Sequence, residues 1–176
     1  MEKRFEGHWS SRLDEYRHVP IVNFGVGAID ATGAIAKKVS RNSNAMIITE
    51  GVLGDLGLID GARSSLADSG FNVDVYPSGA GEPTLEETKK AINMASEGDY
   101  GLVVGIGGGS AMDKAKIAAC LSENPGELEE YLCPSDRPLT KSKPKIMVPT
   151  TAGTGSEASN TAVVIVPHKD MVFYDL

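Results

Sequence analysis

Residues 100–119 read YGLVVGIGGGSAMDKAKIAA. Leu102–Ile106 is an unbroken apolar run, the pattern of a parallel strand buried on both faces. Gly105-Ile106-Gly107-Gly108-Gly109 then turns the chain. Ser110 follows in an N-cap position, with Asp113 three residues on, a relative of the capping box. Ala111, Met112, Ala115, Ile117, Ala118 and Ala119 supply a helix able to pack closely. A strand, a glycine turn and a helix start make an anion site. The glycines let a phosphate approach the backbone, and first-turn N–H groups and the helix dipole point at it.

The same alternation extends in both directions. Upstream, strands are expected at Ile21–Phe24, Ala45–Thr49 and Phe71–Tyr76, and helices at Ala28–Ser40, Leu56–Ser69 and Leu85–Ser96. Gly25-Val26-Gly27 reads as a plain turn, Gly70 as the C′ residue of a helix, and Thr84 as an N-cap followed by Glu86 and Glu87. Downstream, Glu123–Lys143 is a mixed-charge loop with a short helix near Glu127–Leu132. Strands follow at Lys145–Val148 and Thr161–Val166, separated by the polar loop Pro149–Glu157. Strand and helix signals alternating four times over predict an α/β fold: a mostly parallel sheet with helices on both faces. Ligands of such sheets bind at the carboxyl ends of the strands. Glu50, the Gly105–Ser110 turn and Thr150–Ser156 all fall there.

Composition narrows the partners. With 176 residues the chain can enclose a core, and 41% hydrophobic with 23% charged residues is the balance of a soluble globular protein. A net charge of −7 argues against nucleic acid or an anionic membrane as partner. No apolar run approaches the ~20 residues that span a bilayer, and the charged N-terminus lacks the apolar core of a signal peptide. Cys120 and Cys133 lack CxxC spacing, so a reduced, cytoplasmic protein is expected. His8, His18 and His168 form no pair with ligand spacing, which speaks against a metal site within these residues.

Each candidate residue has a plain structural reading beside a functional one. Gly105–Ser110 nearly fits the dinucleotide fingerprint, with Ser110 in place of the last glycine; such turns also serve close packing. Asp113 either caps its own helix through the Ser110 backbone or turns its carboxylate to a ligand. Glu50, ending a buried strand, is either a solvated acid or the acceptor of ribose hydroxyls, a position that disfavours a 2′-phosphate. The hydroxyls of Thr150, Thr151, Thr154 and Ser156 are neutral donors for phosphate or ribose, or else a turn rich in serine and threonine. No GxSxG elbow and no GxxxxGK[ST] loop occurs.

Two stretches together resemble the iron-containing (group III) alcohol dehydrogenases: GGGSAMDKAK at 107–116 and PTTAGTGSE at 149–157. Ile48-Thr49-Glu50 after a strand and Glu82-Pro83-Thr84 before a helix support the likeness, which runs from Ile21 to Val166. The resemblance implies a Rossmann-like nucleotide-binding domain over 21–176, of the kind that opens dehydroquinate synthase, preceded by an arm over 1–20. It implies that Gly107, Gly108, Gly109 and Ser110 line the pyrophosphate of NAD or NADP and that Asp113 lies near the nicotinamide side. Thr150, Thr151, Thr154 and Ser159 would touch the cofactor. Glu50 stands where the family often carries an aspartate that meets the adenine ribose, which favours NAD. The family's divalent metal, iron or zinc, is held by an aspartate and three histidines of a C-terminal helical domain expected to be absent here. The expectation is therefore the cofactor half of a metal-dependent dehydrogenase acting on a small-molecule alcohol or aldehyde, inactive alone and assembled as a homo-oligomer. A non-catalytic nucleotide-binding module, or a relative of glycerol dehydrogenase, is the alternative; the long PTTAGTGSE match favours the alcohol dehydrogenase branch.

Overall fold

A computed structural model describes residues 21–79, 81–132, 135, 137–166 and 169–174, the last six as backbone alone. The arm expected over 1–20, Cys133 and the three histidines lie outside the described residues.

A 3-10 turn at Ala28–Ala31 leads into α1 (Thr32–Val39). Then come β1 (Asn44–Glu50), α2 (Gly51–Asp55), α3 (Asp60–Asp68), β2 (Asn72–Ser78), α4 (Leu85–Glu97), β3 (Leu102–Gly107) and α5 (Gly109–Leu121). A 3-10 turn at Leu128–Tyr131 precedes β4 (Lys145–Pro149), β5 (Thr161–Val166) and β6 (Lys169–Tyr174). The first four strands form one sheet in the order β2-β1-β3-β4, every pair parallel. β5 and β6 form a separate antiparallel ribbon.

The sequence of each strand explains its place. β1 and β3 sit in the middle, and their continuous apolar runs are buried on both faces. β2 has only exposed and half-buried side chains until Ser78 and takes the edge, where Pro77 costs no ladder hydrogen bond. On one face, Ile47, Val104 and Ile106 pack against Ala36 of α1 and Leu66 of α3. On the other, Met46, Ile48 and Val103 pack against Ala91 of α4 and Ala115, Ala118 and Ala119 of α5. The α/β fold with helices on both faces is thus the one expected. From β1 the chain moves outward to β2, then crosses back to β3 on the opposite face. The crevice where such a sheet takes ligands lies between the carboxyl ends of β1 and β3.

α5 is the centre of the molecule. Every residue from Ala111 to Leu121 is buried, because the helix lies between the sheet, α4 and the β5–β6 ribbon. A Cβ on Gly105 would come within 2.8 Å of Ala115 Cβ and 2.9 Å of Met147 Sδ, so glycine there lets helix and strand approach.

Local signals were read correctly at several ends. Thr84 Oγ1 accepts from the Glu87 N–H. α3 stops in a Schellman motif, with Phe71 N–H to Leu66 O at 3.0 Å and Gly70 N–H to Ala67 O at 2.8 Å. Two expectations need correction, and one strand was not expected. Ile21–Phe24 forms no strand, and Phe24 is fully exposed; an apolar run becomes a strand only beside a partner, and no strand of the described residues pairs with it. The helix expected over Leu56–Ser69 starts only at Asp60, as α3; the short α2 precedes it, and Gly57 between them takes φ +70°, where an L side chain is strained. β6, a strand with no reading in the sequence, completes the ribbon.

Candidate functional site

The site begins with the register of two strands. β3 ends at Gly107, opposite Pro149 at the end of β4, and the Thr150 N–H donates to Gly107 O at 2.9 Å. The glycine turn and the threonine-rich loop, far apart in sequence, therefore leave the sheet side by side. On the other flank β1 ends at Glu50, beside β3.

Glu50 lays its carboxylate across the turn. A Cβ on Gly107 would stand 2.0 Å from Glu50 Oε2 and 2.8 Å from Ala111 Cβ, and Gly107 takes φ +150°. Only glycine satisfies both demands. Glu50 Oε2 is buried and finds no hydrogen-bond partner among the described residues. A Cβ on Gly108 would meet Thr151 Oγ1 at 3.4 Å and Glu50 Oε1 at 3.7 Å, and one on Gly109 would meet Thr154 Cβ at 3.6 Å. The turn thus presents bare backbone toward a gap between an acid and a pair of threonines.

α5 opens at this gap. Its N-cap is Gly108, in extended geometry and without a side-chain cap, so the first-turn N–H groups lack protein acceptors in the helix. The capping box expected from Ser110 and Asp113 is not formed. The helix starts earlier than that pattern implies, which places Ser110 inside it. There Ser110 Oγ donates to Gly81 O.

Asp113 accepts instead from Ser156 Oγ at 2.6 Å and from the Val163 N–H at 2.9 Å, and its Oδ1 lies 3.0 Å from Lys116 Nζ. Lys116 donates to Ser156 O at 3.0 Å, to Ser159 Oγ at 3.3 Å and to Thr161 O. Thr154 Oγ1 donates to Glu157 Oε2 at 2.9 Å within the loop.

The structure therefore gathers Glu50, Gly107, Gly108, Gly109, Ser110, Thr150, Thr151 and Thr154 around one gap. Asp113 and Ser159 stand on Lys116. Two residues escaped the sequence reading. Lys116 is one; Lys114 is the other, fully buried, with its ammonium 3.2 Å from Glu87 Oε2 and 3.4 Å from Gly79 O. Their signal was present: the stretch 111–121 has no polar face, so its charged residues had to pair inside the protein.

A groove of about 520 Å³ lies elsewhere, between α4 and the segment after α5. Its charges are already paired: Lys89 lies 2.7 Å from Glu129 and 3.4 Å from Glu127, and Glu123 lies 2.7 Å from Arg41. Among the described residues no group of three or more His, Cys, Asp or Glu is placed to hold a metal ion, and no helix is long and apolar enough to cross a membrane.

A family model described as iron-containing alcohol dehydrogenase matches residues 20–175. A long-chain-alcohol dehydrogenase 1 of Geobacillus thermodenitrificans is 40% identical over 159 residues, covering 89% of this chain and 40% of that protein. A probable alcohol dehydrogenase EutG of Salmonella typhimurium is 33% identical over 154 residues, 88% of this chain and 38% of its own. A crystal structure of an iron containing alcohol dehydrogenase superposes with a TM-score of 0.82 at 25% identity, over 94% of this chain and 45% of the other. The chain spans about two fifths of the length of the curated relatives it matches.

Proposed function

The chain belongs to the iron-containing alcohol dehydrogenase family, and from that premise we propose that residues 21–176 bind NAD as the cofactor half of an enzyme that interconverts alcohols and aldehydes. The observation that carries this reading is the buried Glu50 Oε2, without a hydrogen-bond partner among the described residues, across a glycine turn that opens the uncapped helix α5. These groups fit a dinucleotide and each lacks what it would supply. The pyrophosphate meets the N–H groups of Gly108, Gly109 and Ser110 at the positive end of α5. A ribose hydroxyl donates to the Glu50 carboxylate, which lets that side chain offset the cost of its unpaired oxygen, about 1–3 kcal/mol for a buried polar group. A 2′-phosphate would instead place negative charge against a carboxylate, so NAD is favoured over NADP.

Thr150 and Thr151 close the gap from the β4 side, with Thr154 beside Gly109. When bound, the nicotinamide accepts or gives a hydride at C4; the residues here orient the cofactor and narrow the gap around it. The family's name speaks of iron. The described residues show no donor set for it, and we place the metal ligands in a further, helical domain. Exposed Phe24, Val26 and Leu56 favour assembly into an oligomer, which sedimentation would read.

Calorimetry of the chain with NADH and NADPH tests the reading. The expected result is binding of NADH, tighter than NADPH. No heat from either at about 1 mM, the level of a −4 kcal/mol interaction, overturns it.

A further inference from the structure

The loop that faces the glycine turn is mostly exposed from Thr150 to Asn160. Its internal bonds are local: Ala158 and Ser159 N–H groups both reach Gly155 O at 3.0 Å. Such a loop has no stiffness of its own. Among the described residues, hydrogen bonds tie it to the rest of the fold at two places. One is the Thr150 N–H on Gly107 O. The other is the Asp113–Lys116 pair, one turn apart on α5.

That pair is used up entirely by the loop and by the start of β5. Lys116 is 2% exposed, and its donors go to Ser156 O, Ser159 Oγ and Thr161 O. Both oxygens of Asp113 are taken, by Ser156 Oγ and the Val163 N–H. A buried lysine is expensive unless ion-paired and hydrogen-bonded, and among the described residues every partner beyond Asp113 lies between Ser156 and Thr161. The far end of β5 is held separately, by Ile165 N–H on Pro83 O at 2.8 Å.

We infer that Lys116, locked by Asp113, is a positioning residue that fixes the threonine-rich loop at its distance from the glycine turn. One rigid helix then carries both walls of the cofactor gap. Its N-terminus is the anion site, and a turn and a half later the Asp113–Lys116 pair sets the facing loop. Lys116 offers no charge to a ligand and acts only through the loop. A preorganised wall spares the cofactor the cost of ordering it.

Amide hydrogen exchange on the full chain, with calorimetry against NADH, tests this. Two variants are used: Ser156→Ala, which cuts one tie without leaving a bare charge, and the charge-free pair Asp113→Asn with Lys116→Met. Exchange at the loop amides and at Val163 should rise about tenfold in Ser156→Ala, one hydrogen bond's worth, and further in the double variant. Amides of β1 and β3 should be unchanged, and NADH affinity should fall about tenfold or more in the double variant. Loop exchange that stays at the wild-type rate overturns the inference. So does exchange that rises equally in loop and sheet, including outright unfolding, because the pair would then serve the whole core. The affinity arm rests on the nucleotide reading, and the exchange arm does not. Wild type that fails to bind NADH while the loop still loosens in the variants sinks the function and keeps the clasp. Binding that persists in variants with an unmoved loop does the reverse.

Discussion

The two ends of the sheet are built from the same strands and finish differently. At the amino end, Arg41 meets Glu123 at 2.7 Å, Lys143 reaches Glu123 at 3.3 Å, and Tyr100 donates to Asp74 Oδ2 at 2.7 Å. Asn42 and Asn44 both donate to Asp99. Polar groups there find protein partners. At the carboxyl end, Glu50 Oε2 finds none among the described residues, and α2 and α5 both start without a side-chain cap. Helix N-termini with their partial positive charge gather at that end in a parallel α/β fold. One end closes on itself, and the other keeps hydrogen-bonding capacity that a ligand can complete.

The sharpest way to break this contrast is Gly108→Val. Its Cβ meets no atom closer than 3.4 Å, so the fold should keep its melting temperature. NADH affinity, read by calorimetry, should fall about a hundredfold, the loss of one or two charge-assisted hydrogen bonds. Gly105→Val, two residues into the strand, should do the opposite. Its Cβ would strike Ala115 and Met147, and overpacking should cost about 2 kcal/mol in denaturant unfolding, with or without cofactor. Glu50→Gln should raise NADPH affinity relative to NADH about tenfold, as a close negative charge is removed.

Smaller effects belong to the amino end. Tyr100→Phe should cost about 1 kcal/mol and leave NADH affinity alone. Partial burial first, then the Asp74 carboxylate, push the Tyr100 hydroxyl up to about 12 from 10.0. The protonated form is favoured in the folded state, so its contribution is whole below pH 10 and lost as pH rises through 12. Alkaline unfolding of Tyr100→Phe should lack that component. Glu123 is held below its ordinary 4.5, by Arg41 first and then by Lys143. Its contribution is present above that value and lost as pH falls below it. Glu123→Gln should flatten the acid limb of a stability curve by about 0.5 kcal/mol, the scale of a partly exposed pair.

Much of this was legible in the residues, because it is decided within a few positions. Apolar runs named the central strands, Gly107–Gly109 named the turn, Thr84 its helix start and Gly70 a helix end. The errors lie where a distant partner decides. Ile21–Phe24 looked like a strand and pairs with no strand of the described residues. Ser110 and Asp113 had cap spacing, yet Asp113 is bonded to residues 43 and 50 positions away. Lys114 and Lys116 drew no reading from the sequence and are buried in the protein.

The sequence alone determined that this chain is a parallel α/β fold with a glycine turn between its central strand and a helix, because the periodicity of strands and helices and the backbone freedom of glycine are local properties. Only the tertiary structure decided that Glu50 lies over that turn with one oxygen unmatched among the described residues, and that α5 grips the facing loop through Asp113 and Lys116. Those facts follow from the register of β1, β3 and β4 and from where α5 crosses them. No window of sequence contains that information, since a buried charge is placed by the groups that come to meet it.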